Sequence, residues 1–244
     1  NLLQSIKVEY QKSNMSFSVT NEKINYEWAG KNFKTIFNLK NIFTLRYLRI
    51  LKDIFKFSKI SEKKTSLYDI SLKKFLKKYN FSKEFINLYF LPMCASIWSS
   101  DLDNIMNYNT AFILNFFKNH GLNNIISKRP VWFTIKNGSK SYIQKIVKNV
   151  KPEIYLNEKV TEINQKKKYI KTINNKKFNY DHIILANHTN QIKKILKEPE
   201  KRQLELLNSV KYQKNKIIIH TDKNLMPKNA NNWSSWNYLY NKNN

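Results

Sequence analysis

The sequence predicts a mixed α/β chain, helical and apolar in its first half and built from alternating strands, turns and helices in its second. Three observations predict it. Between residues 40 and 118, apolar residues recur at helical spacing behind serine caps. From residue 131, a strand, an Asn-Gly-Ser turn and an amphipathic helix follow one another. After residue 159, short alternating strands give way to continuous apolar runs, the mark of strands buried on both faces.

The elements follow in order. NMSFSVTNEKINYEW, residues 14–28, alternates polar and apolar around a turn at residues 20–23, which predicts a hairpin. Residues 40–60 predict a helix whose apolar face is Leu45, Leu48, Ile50, Leu51, Ile54 and Phe55. Ser66 and Ser71 are candidate N-caps of short helices, SLYDI and SLKKFLKKY. Ser82 caps another, SKEFINLYFL, which Pro92 should end. NTAFILNFFK, residues 109–118, is a strongly apolar helix, and His120-Gly121 reads as its stop, with Gly121 supplying a positive φ.

Residues 131–135 read as a strand and 137–139 as a turn. Ser139 is placed to cap a helix over Lys140–Val150. Glycine tolerates the backbone of so sharp a strand-to-helix turn, and its bare backbone lets a ligand approach. KVTEINQ (159–165), KYIKTIN (168–174) and KKFNY (176–180) predict an antiparallel meander, with Asn174-Asn175 as a hairpin turn. DHIILAN (181–187) predicts a strand buried on both faces, and so does KIIIHTD (216–222). Helices are expected over residues 191–196 and 202–207, and WSSWNYLY (233–240) closes as an aromatic strand.

Composition narrows the function classes. Hydrophobic residues make up 41% of the chain and aromatics 14%, enough for a real core. The net charge of +27 resembles a nucleic-acid signature. However, only Arg46, Arg49, Arg129 and Arg202 among the 44 basic residues are arginine. A surface that reads phosphates and bases uses more of that planar fork, so a solvated lysine surface is the better reading, with no specific nucleic acid. Cys94 stands alone, which points to a reducing, cytoplasmic compartment without disulfides. The longest apolar stretch, residues 86–98, is too short to span a membrane. The chain begins NLLQSIKVEY and ends NKNN, and reads as an internal piece of a longer protein.

Local motifs assign no catalytic residue. His120, His182, His188 and His220 form no metal-ligand pattern, so no metal is expected. Glycine-rich nucleotide loops are absent, because the three glycines are dispersed.

One constellation remains: a strand, Asn-Gly-Ser, a helix, a meander, then DHIILANH. With NMSFSV, LPMCASIWSS, NHGL, RPVWFTIKNGSKSYIQKI, HTDKNLMP and NWSSWNY, it resembles a bacterial branch of the flavin-containing amine oxidoreductase superfamily along nearly the whole chain. The resemblance implies the middle part of a two-domain, Rossmann-like FAD-binding flavoprotein. In that scheme residues 1–130 are mainly substrate domain. Residues 131–200 are the returning part of the FAD domain, and 201–244 a second substrate-domain segment.

The resemblance also implies FAD as cofactor and a small-molecule substrate. Val160 matches a strand that meets the adenine side of FAD through its backbone, and Ala186 ends a strand beside the cofactor. Gly138 and Ser139 match a turn entering the cofactor region, with Asn137 where the family usually has a first glycine. Trp233, Trp236 and Asn237 would line the cavity over the isoalloxazine ring, although these tryptophans and Trp132 could equally be core residues. Lys214 and Lys216 lie in about the region where many amine oxidases place a lysine near flavin N5, and neither is assigned that role. The aromatic loading suggests a hydrophobic substrate. The rival reading is a lysine-rich, non-enzymatic module held to nucleic acid or to an anionic membrane surface.

Overall fold

A computed structural model describes residues 2–30, 44–62, 68–122 and 130–240. Two compact units divide the chain: Asn1–Ile143 with Ile217–Asn244, and Gln144–Lys216.

The first unit begins with a short helix α1 (Leu2–Ser5) and strand β1 (Tyr10–Ser13). The expected hairpin follows as β2 (Phe17–Asn21) and β3 (Tyr26–Ala29), antiparallel, with Asn25 in the left-handed region closing the turn. Helix α2 (Leu45–Ser61) is capped by Thr44, whose hydroxyl accepts from the Tyr47 amide. Its buried face shares Ile50 and Ile54 with the expected one and departs from it elsewhere. Tyr47, Ile50, Ile54, Phe57 and Ile60 are buried, whereas Leu45, Leu48 and Phe55 are exposed. A broad apolar surface offers several stripes, and packing selected the one carrying the largest aromatics. Ser66 lies outside the described residues.

Ser71 caps α3 (Leu72–Lys78) and Ser82 caps α4 (Lys83–Phe85) as expected. Pro92 does not end that helix. A π-helical turn over Ile86–Phe90 leads into α5 (Leu91–Trp98), with the proline in its first turn. Proline lacks an amide donor and crowds the carbonyl four residues back, and a widened turn relieves both problems. Then come α6 (Leu102–Met106) and α7 (Thr110–Asn119). Gly121 has φ +61°, its amide reaches the Lys118 carbonyl, and the Leu122 amide reaches that of Phe117. This is a Schellman stop, as the sequence predicted.

The core of this unit is aromatic. Phe57 meets Phe90 and Phe117 with ring centroids 4.8 and 5.4 Å apart, and Phe85 stacks on Phe90 at 5.4 Å. Trp28 donates from Nε1 to the Tyr47 hydroxyl at 3.1 Å. Burial pushes that hydroxyl's pKa up to about 12. Strand β4 (Trp132–Ile135) pairs antiparallel with β1. Helix α8 (Lys140–Val150) carries the chain onward into the second unit.

The second unit is a four-stranded sheet with two helices and the C-terminal part of α8. Strands β5 (Val160–Asn164), β6 (Tyr169–Thr172) and β7 (Lys177–Asn179) form the expected meander. Helix α9 (Thr189–Ile195) leads into the short β8 (Leu196–Lys197), which lies parallel to β5, and α10 (Lys201–Ser209) follows.

Residues 181–187 are not a strand, and Ile184 is 93% exposed. Residues 216–222, of which 217–222 belong to the first unit, likewise form no strand and are exposed, with Ile219 at 98%. Both expectations of a doubly buried strand are therefore corrected. Apolar content says what a segment tends to bury, but burial needs a paired strand and two covering layers. Neither run has a paired strand among the described residues. The aromatic closing strand does form: β9 (Trp236–Tyr240) runs parallel to β2 and completes the order β3-β2-β9.

Candidate functional site

A cavity of about 740 Å³ opens in the second unit. Val160 and Ile163 of β5, Ile170 of β6, Ile195 of α9, and Ile184 and Ala186 of the extended run line it. Two of the residues predicted to meet a cofactor, Val160 and Ala186, thus face one space. Val160 and Ile163 are three residues apart, which strict strand alternation would send to opposite faces. A register shift between Val160 and Glu162 allows both to line the cavity. Sequence reasoning missed Ile163 because that bulge hides the pattern, and Ile170 and Ile195 because only the fold brings β6 and α9 to the cavity.

The rim of β5 is set by charge. Lys176 Nζ lies 2.6 Å from Glu158 Oε1. That hydrogen bond holds the Glu158 carboxyl below the usual carboxylate range. Beyond the sheet, the His188 ring stacks on Tyr212 at 4.5 Å. The Tyr212 hydroxyl accepts from the Thr189 amide at 2.9 Å, fixing the start of α9.

Gly138 and Ser139 belong to the first unit's turn between β4 and α8. Asn137 has φ 62° and Gly138 φ 77°, so both residues of the turn are left-handed. Asparagine is among the side chains that tolerate this, which is why the turn survives without a second glycine. A Cβ added at Gly138 would meet nothing within 4 Å, so this backbone is open to approach. The Ser139 carbonyl accepts from the Ile143 amide and starts the helix.

Trp236 and Asn237 sit on β9, and Trp233 just before it. Trp233 donates from Nε1 to the Pro227 carbonyl at 2.8 Å. Asn237 Oδ1 accepts from Ser18 Oγ at 2.7 Å and from the Ser234 amide at 2.9 Å. Its Nδ2 donates to the Ser234 carbonyl at 2.7 Å. His220 and Asp222 form a local turn: His220 Nδ1 accepts from the Asp222 amide, and Asp222 Oδ1 from the Asn224 amide. Lys214 and Lys216 are exposed. Cys94 is buried, which pushes its thiol pKa up and leaves it a core residue. Among the described residues no cluster of ligating side chains could hold a metal, and no helix is long and apolar enough to cross a membrane.

The mixed α/β fold is similar to part of amine oxidase-type flavoenzyme structures. An engineered putrescine oxidase matches with a TM-score of 0.59 at 12% identity, over 85% of this chain and 48% of its own. Cyclohexylamine oxidase from Brevibacterium oxydans IH-35A matches with a TM-score of 0.58 at 12% identity, over the same shares. The chain therefore spans about half the length of these structures. No curated protein matches it. The family model described as flavin containing amine oxidoreductase matches residues 38–242, and the chain belongs to that family.

Proposed function

We propose that this chain forms part of an FAD-dependent oxidoreductase of the amine-oxidase type, acting on a small, hydrophobic substrate. Family membership supports the class, and the cavity shared by Val160 and Ala186 is the observation that carries the assignment. FAD, when bound, would accept a hydride equivalent from the substrate. The residues present fit part of that cofactor. Val160 would offer backbone and Ala186 a small side chain to a flat ring, beside Ile163 and Ile170. Gly138 and Ser139 would form a second, open backbone contact. The glycine-rich turn that grips a pyrophosphate is not among these 244 residues, whose glycines stand at 30, 121 and 138. Trp233, Trp236 and Asn237 would border the substrate. No side chain is assigned a proton transfer.

The test is the visible absorption spectrum of the full-length protein. Flavin bands that bleach with dithionite are expected. Ala186→Phe should lower the flavin content by filling the cavity, while Lys214→Met should leave it unchanged. A colourless protein that takes up no added FAD would overturn the proposal.

A further inference from the structure

We infer that the first unit holds a separate small-ligand site, which takes a carboxylate joined to an apolar or aromatic body. It is a cavity of about 220 Å³ between the end of β1, the stop of α7 and the start of β4. That volume is several times the ~30 Å³ share of a water molecule in the liquid.

His120 is the centre of the argument. Its ring is sandwiched between Phe116, at 4.0 Å and 22° between planes, and Trp132, at 5.6 Å and 10°. Its Nδ1 lies 2.8 Å from the Phe116 carbonyl oxygen. A carbonyl only accepts, so Nδ1 carries the hydrogen and Nε2 is the ring nitrogen left for a ligand. Residues 120–122 form the α7 stop, whose two backbone bonds hold the ring's starting point fixed. A helix stop alone requires only the glycine. The histidine beside it, stacked on both faces and lining a cavity, has a geometry that stop does not explain.

Charge selects the ligand. Lys12 and Asn14 also line the cavity, and among the described residues no Asp or Glu does. The sequence makes this a regional property, because residues 10–21, 28–52 and 104–152 contain no acid at all. All the lining residues fall inside those stretches. Glu27, the nearest acid in sequence to the lining residue Gly30, accepts from the Lys228 and Asn229 amides and is occupied elsewhere. An ammonium ligand would meet Lys12 and find no carboxylate. A carboxylate would meet the Lys12 cation and the Asn14 amide. Val131 and Trp132 supply the apolar wall for the rest of the molecule. The site stands apart from the flavin proposal and does not depend on it.

The test is calorimetric titration of the full-length protein with benzoate and with benzylamine at pH 7, so the readout is independent of flavin. Benzoate should bind at least tenfold more tightly than benzylamine. Lys12→Met, an exposed change on β1, should weaken benzoate about threefold, the scale of one exposed charge pair, and should not weaken benzylamine. His120→Gln, which removes the stacked ring beside the cavity, should weaken benzoate about threefold. Three results would each overturn the inference: benzylamine binding as tightly as benzoate, no heat with either probe, or benzoate affinity unchanged in Lys12→Met. The last decides the matter even if His120→Gln does not fold.

Discussion

Asn237→Ala tests how the closing strand is held. In the β2–β9 pair, Ser18 and Asn237 are register neighbours, 219 residues apart in sequence. Ser18 is 0% exposed, and its hydroxyl donates to Asn237 Oδ1 at 2.7 Å. Removing the amide orphans that hydroxyl in a dry place, at a cost of about 1–3 kcal/mol. The Ser234 amide and carbonyl lose their partners too, but they are only half-buried, so water can replace much of that. The expected loss is about 2–4 kcal/mol, read as a lower denaturation midpoint at unchanged m in the full-length protein. Ser18→Ala removes the orphan, so the double variant should be less destabilised than the sum of the singles by about 1 kcal/mol or more. A single-variant loss below about 0.5 kcal/mol, or strict additivity, would refute the reasoning. Asn237 would then be free to serve substrate alone.

Two further outcomes follow from the geometry. Gly121→Ala should destabilise the first unit by about 1–3 kcal/mol, since φ is +61° and the new Cβ would sit 2.9 Å from Pro130 Cδ; an unchanged thermal midpoint would contradict this. Glu158 is held below the ordinary carboxylate range by Lys176, so its contribution is present above about pH 4–5 and fades as pH falls through its depressed value. Lys176→Met should therefore be less stable than wild type at pH 7, with the gap closing towards pH 3, as followed by amide exchange of β5 and β6.

The sequence by itself determined what is local. Ser71, Ser82 and Gly121 mark helix ends because a side-chain oxygen or a glycine satisfies orphan backbone groups wherever it stands. The 14–28 hairpin and the meander followed from alternation and turn asparagines. Val160 and Ala186 were singled out through a resemblance, and the fold places them in one cavity.

Tertiary structure decided the rest. It kept Ile50 and Ile54 of the expected α2 face buried, added Tyr47, Phe57 and Ile60, and left Leu45, Leu48 and Phe55 exposed, because a broad apolar surface does not say which side a neighbour will cover. It carried a helix through Pro92 by widening one turn. It left residues 183–186 and 216–222 unpaired, because hydrophobicity states a demand for burial that only neighbouring strands can meet. It also turned His120 from a residue beside a helix stop into a ring held between Phe116 and Trp132. That arrangement joins segments from separate parts of the chain, and local periodicity carries no signal of which aromatic will arrive on the other face.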